Sequence, residues 1–447
     1  MPRQFLPYDL VAMENPDLLL LARAQFGLNI GFHILFPSLT IALGWVLLFF
    51  RIQYARTGDA AWLTTYKLWT KVFALSFAMG VVTGITMSFQ FGTNWPGFML
   101  KVGNVAGPLL AYEVLFAFFL ESTFLGVMLF GMNRVPSWVH IFSAAMVALG
   151  TTLSAFWIIA LNSWMQTPTG HVMDGGTLIA GDWWQVIFNP SLPFRMTHMM
   201  LASGLTAAFV LAGLSAWRLL RAADDASARV TLRTGLVLAA ILAPMQILAG
   251  DMHGLNTLEH QPAKIAAIEA VWETGRGVPL VLFALPNEDT RRNDFAVEIP
   301  KLGSVILTHD ANGEIKGIDA FAPDTEPVLP VFFAFRVMVG VGVLMLLLAW
   351  TGAWITRRGA APPRWLLWTY AGFTFSGWVA TLSGWLVTEI GRQPWLVTGV
   401  LKTADAVGHF SGPEVGASLT GYVITYTGMF VAYIVVLTHL AGKGAQT

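Results

Sequence analysis

Long apolar runs dominate this chain, and they show neither the alternation of a half-buried strand nor the single stripe of a surface helix. A helix needs about 20 mostly apolar residues to cross a bilayer. Nine runs of that length lie at 18–50, 68–92, 108–132, 138–162, 196–220, 230–250, 328–352, 365–390 and 417–441. Each run is apolar on all sides, as expected for helices inside a membrane bundle. The pattern predicts an all-α polytopic membrane protein with nine transmembrane helices.

Composition supports lipid as the main solvent of the chain. Hydrophobic residues make up 55% of its 447 residues and charged residues only 12%, whereas soluble domains carry about 25% charged residues. The 26 basic and 26 acidic residues cancel, so no net positive field indicates a nucleic-acid partner. Cysteine is absent, which excludes disulfides, Cys-ligated iron–sulfur clusters and covalent c-type haem attachment.

Basic residues are distributed unequally between the two sides of the predicted bundle. The loops that follow the odd-numbered spans, the flanking helix ends and the C-terminal tail contain Arg51, Arg56, Lys67, Lys71, Arg134, Arg218, Arg221, Arg229, Arg233, Arg357, Arg358, Arg364 and Lys443. The first segment and the opposite short loops contain only Arg3, Lys101, Arg195, Arg392 and Lys402. Because cytoplasmic loops are enriched in Lys and Arg, the N-terminus is predicted to be external and the C-terminus cytoplasmic.

The segment between spans six and seven differs from every other loop. Residues 251–327 carry 13 acidic and 6 basic side chains. The chain is therefore predicted to have spans one to six in residues 1–250, an external loop subdomain at 251–327 and spans seven to nine in 328–447.

Two local patterns stand out within that loop. Residues 262–270 have the composition of a short helix. Residues 304–307 and 314–316 flank Asn312-Gly313, a residue pair that favours the type I′ turn of a β-hairpin. We therefore expect one helix and one hairpin in the subdomain.

Few ionisable side chains lie inside the spans, and each is a candidate for function because lipid makes it costly. They are His33, Glu113, Glu121, His198, Arg336 and, at the end of span eight, Glu389. A membrane histidine serves either as an interhelical hydrogen-bonding group or as a haem ligand. Met338 either fills space or, paired with a histidine, completes a six-coordinate haem. Arg336, two residues earlier, would then offset the propionate charges of that haem.

The acidic candidates also allow two interpretations. Glu113 and Glu121 are eight residues apart, about 12 Å along a helix, which suits a proton relay through water; alternatively each pairs with a cation. Glu389 lies three residues before Arg392, so the two share a helix face and could form a simple helix-end ion pair. Only His33 and His198 of the nine histidines lie deep in spans, with His253 in the loop, and this number is too small for a haem–copper centre.

Six motifs in order along nearly the whole chain resemble subunit I of cytochrome bd-type quinol oxidases. They are residues 25–33, 89–95 (Phe-Gln-Phe-Gly-Thr-Asn-Trp), Glu113 with 118–124, 264–274, 335–340 (Phe-Arg-Val-Met-Val-Gly) and 391–395 (Gly-Arg-Gln-Pro-Trp). The loop at 251–327 lacks the long insertion of some members, so the chain resembles the short-loop branch, which includes cyanide-insensitive oxidases.

The resemblance implies a role for each candidate. His198 and Met338 correspond to the axial ligands of a low-spin haem b, His33 to the ligand of haem d (or of a third haem b in its place), and Glu389 to the ligand of a high-spin haem b. The last two assignments could be exchanged. Arg336, Trp385 and Arg392 correspond to further cofactor-binding residues, Glu113 and Glu121 to a proton path, and Lys264 and Glu269 to residues that act on quinol.

The resemblance further implies a terminal respiratory oxidase of the bacterial inner membrane that oxidises quinol at the external, periplasmic face and reduces O₂ to water without pumping protons. Its expected partners are a second large membrane subunit (subunit II) and, in some members, a small single-span subunit. Two other functions stay open on the residues alone. One is a haem-containing subunit that oxidises quinol without reducing O₂, and the other is a haem-free transporter.

Overall fold

The structure, a computed structural model, describes residues 16–321, 325, 327–408 and 410–443. Long helices make up most of it, joined by short loops and by one larger insertion. In chain order the helices are α1 (Pro16–Thr57), α2 (Ala60–Thr93), α3 (Pro96–Tyr112), α4 (Phe119–Phe130), α5 (Ser137–Gln166), α6 (Trp183–Ile187), α7 (Leu192–Arg221), α8 (Ala226–His260), α9 (Pro262–Glu269), α10 (Leu302–Thr308), α11 (Val328–Thr356), α12 (Arg364–Gly372), α13 (Ser376–Ile390) and α14 (Gly412–Lys443).

Eight helical segments in the described chain are long and apolar enough to cross a membrane. The run predicted at 365–390 forms two shorter helices instead, α12 and α13. At the break between them, Thr374 packs against α7. A Cβ placed on Gly213 would lie 2.1 Å from the Thr374 hydroxyl, so only glycine permits this contact. The two helices together are compatible with the ninth predicted span.

The third span begins earlier than its hydropathy indicates. α3 starts after Trp95, with Pro96 at its first position, where proline is tolerated because its missing N–H has no helical partner. A π-helical segment, Glu113–Phe118, then joins α3 to α4 in one continuous rod. Such segments widen the helix and often occur at functional sites.

α7 lies at the centre of the bundle. Its Ala207 and Val210 belong to a buried cluster that includes residues of α1, α2, α5 and α14. Its Leu205, Ala208 and Phe209 belong to a second cluster that includes residues of α8, α11 and α12. Small residues along α7 let the neighbouring backbones approach closely, as is usual where lipid provides no hydrophobic force between helices.

The insertion after α8 contains the short helix α9, which confirms the predicted helix at 262–270 within one residue. The strands of the described chain form four two-stranded antiparallel sheets. They are β1 (His171–Asp174) with β2 (Thr177–Ala180), β3 (Gly275–Arg276) with β6 (Glu314–Ile315), β4 (Leu280–Asn287) with β5 (Arg292–Ile299), and β7 (Trp395–Val397) with β8 (Leu401–Lys402). The described chain is therefore helical in the bundle, with small sheets only in its connections.

The predicted hairpin around Asn312-Gly313 is wrong. Residues 304–307 lie in the helix α10, and β6 pairs with β3 instead. Ser304 explains the difference, because its hydroxyl accepts the Val278 N–H at 2.8 Å and donates to the Gly313 carbonyl at 2.9 Å. These bonds fold the segment against the chain before β4. The hairpin of this region is β4–β5, which lacks an Asn-Gly turn.

Candidate functional site

His33 is held in one tautomer by α2. Its Nδ1 lies 2.9 Å from the hydroxyl oxygen of Thr83, and that hydroxyl donates its only hydrogen to the Met79 carbonyl at 2.8 Å. With the hydroxyl hydrogen on that carbonyl, Thr83 accepts from His33, which places the proton on Nδ1 and leaves the lone pair of Nε2 available. A hydrogen bond to the non-ligating nitrogen is the usual way to orient a histidine that binds a metal.

His198 on α7 faces α8. Its Nε2 lies 3.1 Å from the amide nitrogen of Gln246, and its ring centroid lies 5.5 Å from that of His253. His253 was placed in a loop from the sequence, but α8 continues to His260 and carries it into the bundle. Ligation through Nε2 would require the Gln246 side chain to turn away.

Met338 and Arg336 lie on α11, and their surroundings differ. The Met338 sulfur faces Gly384 of α13. The Arg336 guanidinium instead bonds to groups of the insertion: the Glu269 carboxylate at 2.9 Å, the Val281 carbonyl at 2.7 Å, and a further backbone carbonyl of α9. Arg336 therefore connects the insertion to the helix that carries Met338.

Glu269 at the end of α9 is buried, with 7% of its surface exposed. Burial raises the pKa of this carboxyl group, and the positive charge of Arg336 acts in the opposite direction. The net direction is upward, so the neutral form persists to a higher pH than for an exposed glutamate.

Lys264 belongs to the same short helix but reaches a different place. Its ammonium group donates to the side-chain oxygens of Gln166 at 2.6 Å and Gln261 at 3.0 Å, and to the Thr388 carbonyl at 3.2 Å. Thr388 precedes Glu389. The two ends of α9 thus contact α13 and α11 separately.

Glu389 lies at the end of α13 among buried polar groups. One carboxylate oxygen accepts from the Asn162 side-chain amide at 2.9 Å, and the other forms the predicted ion pair with Arg392. Arg392 lies in the turn after α13, however, and not on the helix itself. The Arg195 guanidinium donates to the side-chain amide oxygen of Asn162 at 3.5 Å. The sequence placed Arg195 in a short loop, whereas it is buried on α7. Trp385 lies one turn before Glu389 and is half-buried.

Glu113 and Glu121 have few partners. Glu113 opens the π-helical segment and accepts a hydrogen bond from the Ser154 hydroxyl at 2.8 Å. Glu121 on α4 is buried, and one of its carboxylate oxygens has no hydrogen-bond partner. No ion pair involves either residue among the groups that the structure describes, so the alternative of a hidden cation gains no support there.

Glycines leave room beside three of the candidate iron ligands. A Cβ on Gly84 would lie 3.1 Å from the His33 ring, one on Gly250 would lie 3.5 Å from His198 Nε2, and one on Gly384 would lie 3.0 Å from the Met338 sulfur. A side chain at these positions would occupy the space next to the ligand atoms, where a flat porphyrin would have to lie. The guanidinium groups of Arg195 and Arg392 also have buried N–H donors without partners, which suit carboxylate groups such as haem propionates. The residues therefore fit haem.

Comparison with known proteins gives one consistent family. Residues 21–445 match the family model described as cytochrome bd terminal oxidase subunit I. The chain is 34% identical to "Cytochrome bd ubiquinol oxidase subunit 1" of Bacillus subtilis, over 96% of this chain and 94% of that protein. It is 32% identical to "Cytochrome bd-II ubiquinol oxidase subunit 1" of Escherichia coli, over 96% and 97%.

A solved structure agrees with these sequence matches. The bd oxidase from Geobacillus thermodenitrificans superposes with a TM-score of 0.88 at 29% identity, covering 95% of this chain and 98% of that one. The helical bundle and the order of its elements are thus those of a solved bd oxidase. This multi-span membrane protein belongs to the family of cytochrome bd terminal oxidase subunit I.

Proposed function

We propose that the subunit oxidises quinol against α9 and passes the electrons inward for the reduction of O₂ to water. The two ends of α9 carry this proposal. Glu269 bonds Arg336, two residues before Met338, and Lys264 bonds the Thr388 carbonyl, one residue before Glu389. A quinol head group at this helix would lie beside α11 and α13, the helices that carry Met338 and Glu389. The relatives named as ubiquinol oxidases support a quinol as the donor.

Glu269 is the proposed proton acceptor. Oxidation of a quinol hydroxyl releases a proton, and a carboxylate within hydrogen-bonding reach can take it. Arg336 holds this carboxylate in place and favours its ionised form, while burial raises its pKa. Lys264 donates its three hydrogens to oxygen atoms of Gln166, Gln261 and Thr388, so a hydrogen bond to a quinol oxygen would replace one of these.

Four side chains are proposed to hold iron. His198 with Met338 would hold a low-spin haem b, His33 haem d or a third haem b, and Glu389 a high-spin haem b. Bound haems would accept electrons from quinol and deliver them to O₂. Arg195, Arg392 and Trp385 would position the cofactors around Glu389.

Glu121 and Glu113 are proposed to carry protons to the site of water formation. Neither is tied to a cation within the described structure, so each can gain and lose a proton without breaking an ion pair. The Ser154 hydroxyl at Glu113 would continue the path. Protons released outside and taken up from the cytoplasm would separate charge without a pump.

The setting of the subunit is proposed on the same grounds. The relatives are named as subunit 1 of their oxidases, which supports a complex with a second large membrane subunit. We place the complex in a bacterial inner membrane, with the basic loops on the cytoplasmic side and α9 on the outside.

The experiment compares Glu269→Gln with Glu298→Gln, an exposed acid on β5 of the same insertion, in the purified complex. Glu269→Gln should lower quinol-driven oxygen consumption about 100-fold, the usual contribution of a general base, and leave consumption driven by an artificial electron donor intact. Glu298→Gln should retain both activities. Equal loss of both activities in Glu269→Gln would move Glu269 away from quinol.

The alternative of a quinol-oxidising subunit without oxygen reduction leaves His33 and Glu389 without a purpose. Oxygen consumption by the purified complex with a short-chain quinol decides between the two functions. A complex that is reduced by quinol but consumes no oxygen would support the alternative.

A further inference from the structure

A cavity of about 400 Å³ opens at the end of the bundle that carries the basic short loops. It lies between the end of α1, the start of α2 and the turn before α5, and it has no part in the site described above. Nine residues line it, and none of them is acidic. Two are cations, Arg51 and Lys67, and Asn133 and Ser137 add hydrogen-bonding groups.

Arg51 is the unusual member of this lining, because its guanidinium is buried without a carboxylate. Only 3% of the residue is exposed. Its Nε donates to His140 Nδ1 at 3.3 Å and one Nη to the Ser137 hydroxyl at 2.8 Å. The other Nη has no partner. A buried charge without a counter-ion is costly.

A second buried arginine near the same end of the bundle has a carboxylate as its counter-ion. Arg218, with 1% of its side chain exposed, pairs with the Asp225 carboxylate at 2.7 Å. No carboxylate pairs with Arg51 in the part of the chain that the structure describes. The comparison indicates that the counter-ion of Arg51 comes from outside the described part of the chain.

The donors around the cavity suit a phosphate group. Arginine matches phosphate oxygens with paired N–H groups. Ser137 accepts from Arg51 and therefore has its own hydrogen to donate, and it stands at the first position of the 30-residue helix α5, whose free N–H groups attract anions. The exposed Lys67 on α2 adds a second positive charge at the rim.

The position of the cavity favours a lipid as the source of that phosphate. Trp62 packs against Phe49 and Phe50 at 5.6 and 5.8 Å, and aromatic side chains of this kind mark the headgroup level of a bilayer. Trp45 and Phe49 are exposed one turn apart on α1, which offers an apolar surface for acyl chains beside the cavity. We propose that this cavity binds the phosphate of an anionic phospholipid through Arg51 and Lys67.

Retention of phosphatidylglycerol by the purified, haem-loaded complex tests the proposal. The complex is delipidated, exposed to phosphatidylglycerol and weighed by native mass spectrometry. Arg51→Gln should retain one lipid fewer, with affinity at least about tenfold lower, as for a lost hydrogen bond to a charged group. Lys67→Gln should bind about fivefold more weakly, as for one basic residue near a membrane surface. Arg56→Gln changes an exposed arginine on α1, the helix that carries Arg51. This control should bind the lipid with the same affinity as the unmodified complex.

Each outcome decides for or against the lipid. Equal retention by Arg51→Gln and the unmodified complex, with unchanged haem absorbance, would overturn the proposal. If Arg51→Gln fails to assemble, Lys67→Gln decides, and normal lipid affinity there would overturn it. Inorganic phosphate alone is added in a separate arm. Thermal stabilisation by inorganic phosphate that Arg51→Gln abolishes, with no retention of phosphatidylglycerol by the unmodified complex, would identify a free-anion site and reject the lipid.

Discussion

The four carboxyl groups of the candidate site fall into two pairs with opposite surroundings. Glu269 and Glu389 each pair with an arginine, Arg336 or Arg392. Glu113 has one hydrogen bond from a serine hydroxyl, and the buried Glu121 has a carboxylate oxygen without a partner. The first pair is held in position by fixed positive charge, whereas the second pair is free to change its protonation.

This difference separates carboxyl groups that act directly on a bound ligand from those that carry protons through the bundle. An arginine partner orients a carboxylate toward a ligand and resists its protonation. A carboxyl group without such a partner can exchange protons along a hydrogen-bonded path. We propose that Glu269 and Glu389 act at the bound quinol and cofactor, and that Glu113 and Glu121 deliver protons, and four predictions test that division.

The largest effect is expected for Glu121→Gln. If Glu121 delivers the protons for water formation, its loss should lower oxygen consumption about 100-fold with quinol and with an artificial donor alike. Glu269→Gln should affect the quinol reaction alone. Oxygen-electrode measurements with both donors check the contrast, and a quinol-specific loss in Glu121→Gln would break the division.

Met338→Ala tests the cofactor side of the comparison. Removal of the thioether should abolish the low-spin haem signal in the reduced-minus-oxidised spectrum and leave the other haem signals in place, because the iron loses one axial ligand. Val337→Ala, an exposed neighbour on α11, is the matched control and should keep the full spectrum. An unchanged spectrum in Met338→Ala would remove the ligand assignment.

Gly84→Ala and Gly384→Ala test whether the space beside His33 and Met338 belongs to haem. A methyl group there would crowd the ligand, and such overpacking costs about 1–3 kcal/mol, so haem occupancy should fall about tenfold at limiting haem. Gly342→Ala on α11, where nothing lies within 4 Å of a new Cβ, should retain full occupancy. Pyridine haemochrome analysis measures the haem content of all three variants. Equal occupancy in all three would show that the space has another cause.

The smallest effect is expected for Arg336→Gln, and it appears in the pH profile. Glu269 accepts a proton only when ionised, so quinol oxidation should rise with pH through its raised pKa. Arg336 lowers that pKa, so its removal should move the rise to higher pH, with less loss at neutral pH than in Glu269→Gln. Initial rates across the pH range measure this shift, and a rise that moves to lower pH would contradict it.

Local pattern was sufficient for much of the fold. The apolar runs predicted the long helices because a segment in lipid must satisfy its backbone hydrogen bonds internally, as a helix does. Pattern failed where contacts between distant segments decide. The predicted hairpin around 312–313 does not form, because Ser304 bonds to other segments of the insertion. The predicted span at 365–390 is interrupted where Thr374 packs against Gly213.

The candidate site divides in the same way. His33, His198 and Glu389 were identified because lipid penalises such side chains. Arg195 and His253 were missed because they lie near span ends, where polar residues are ordinary. Only packing shows that α7 buries Arg195 and that α8 continues far enough to place His253 beside His198.

The sequence alone determined that the chain lies in a membrane, and which rare polar side chains are candidates for chemistry, because the exclusion of charge from lipid acts on each residue separately. The tertiary structure decided how those side chains are grouped. Lys264 and Glu269 share one short helix, yet they reach α13 and α11 respectively, since the position of a helix end depends on every element packed against it. That division of one helix between two neighbours cannot be read from the spacing of its residues.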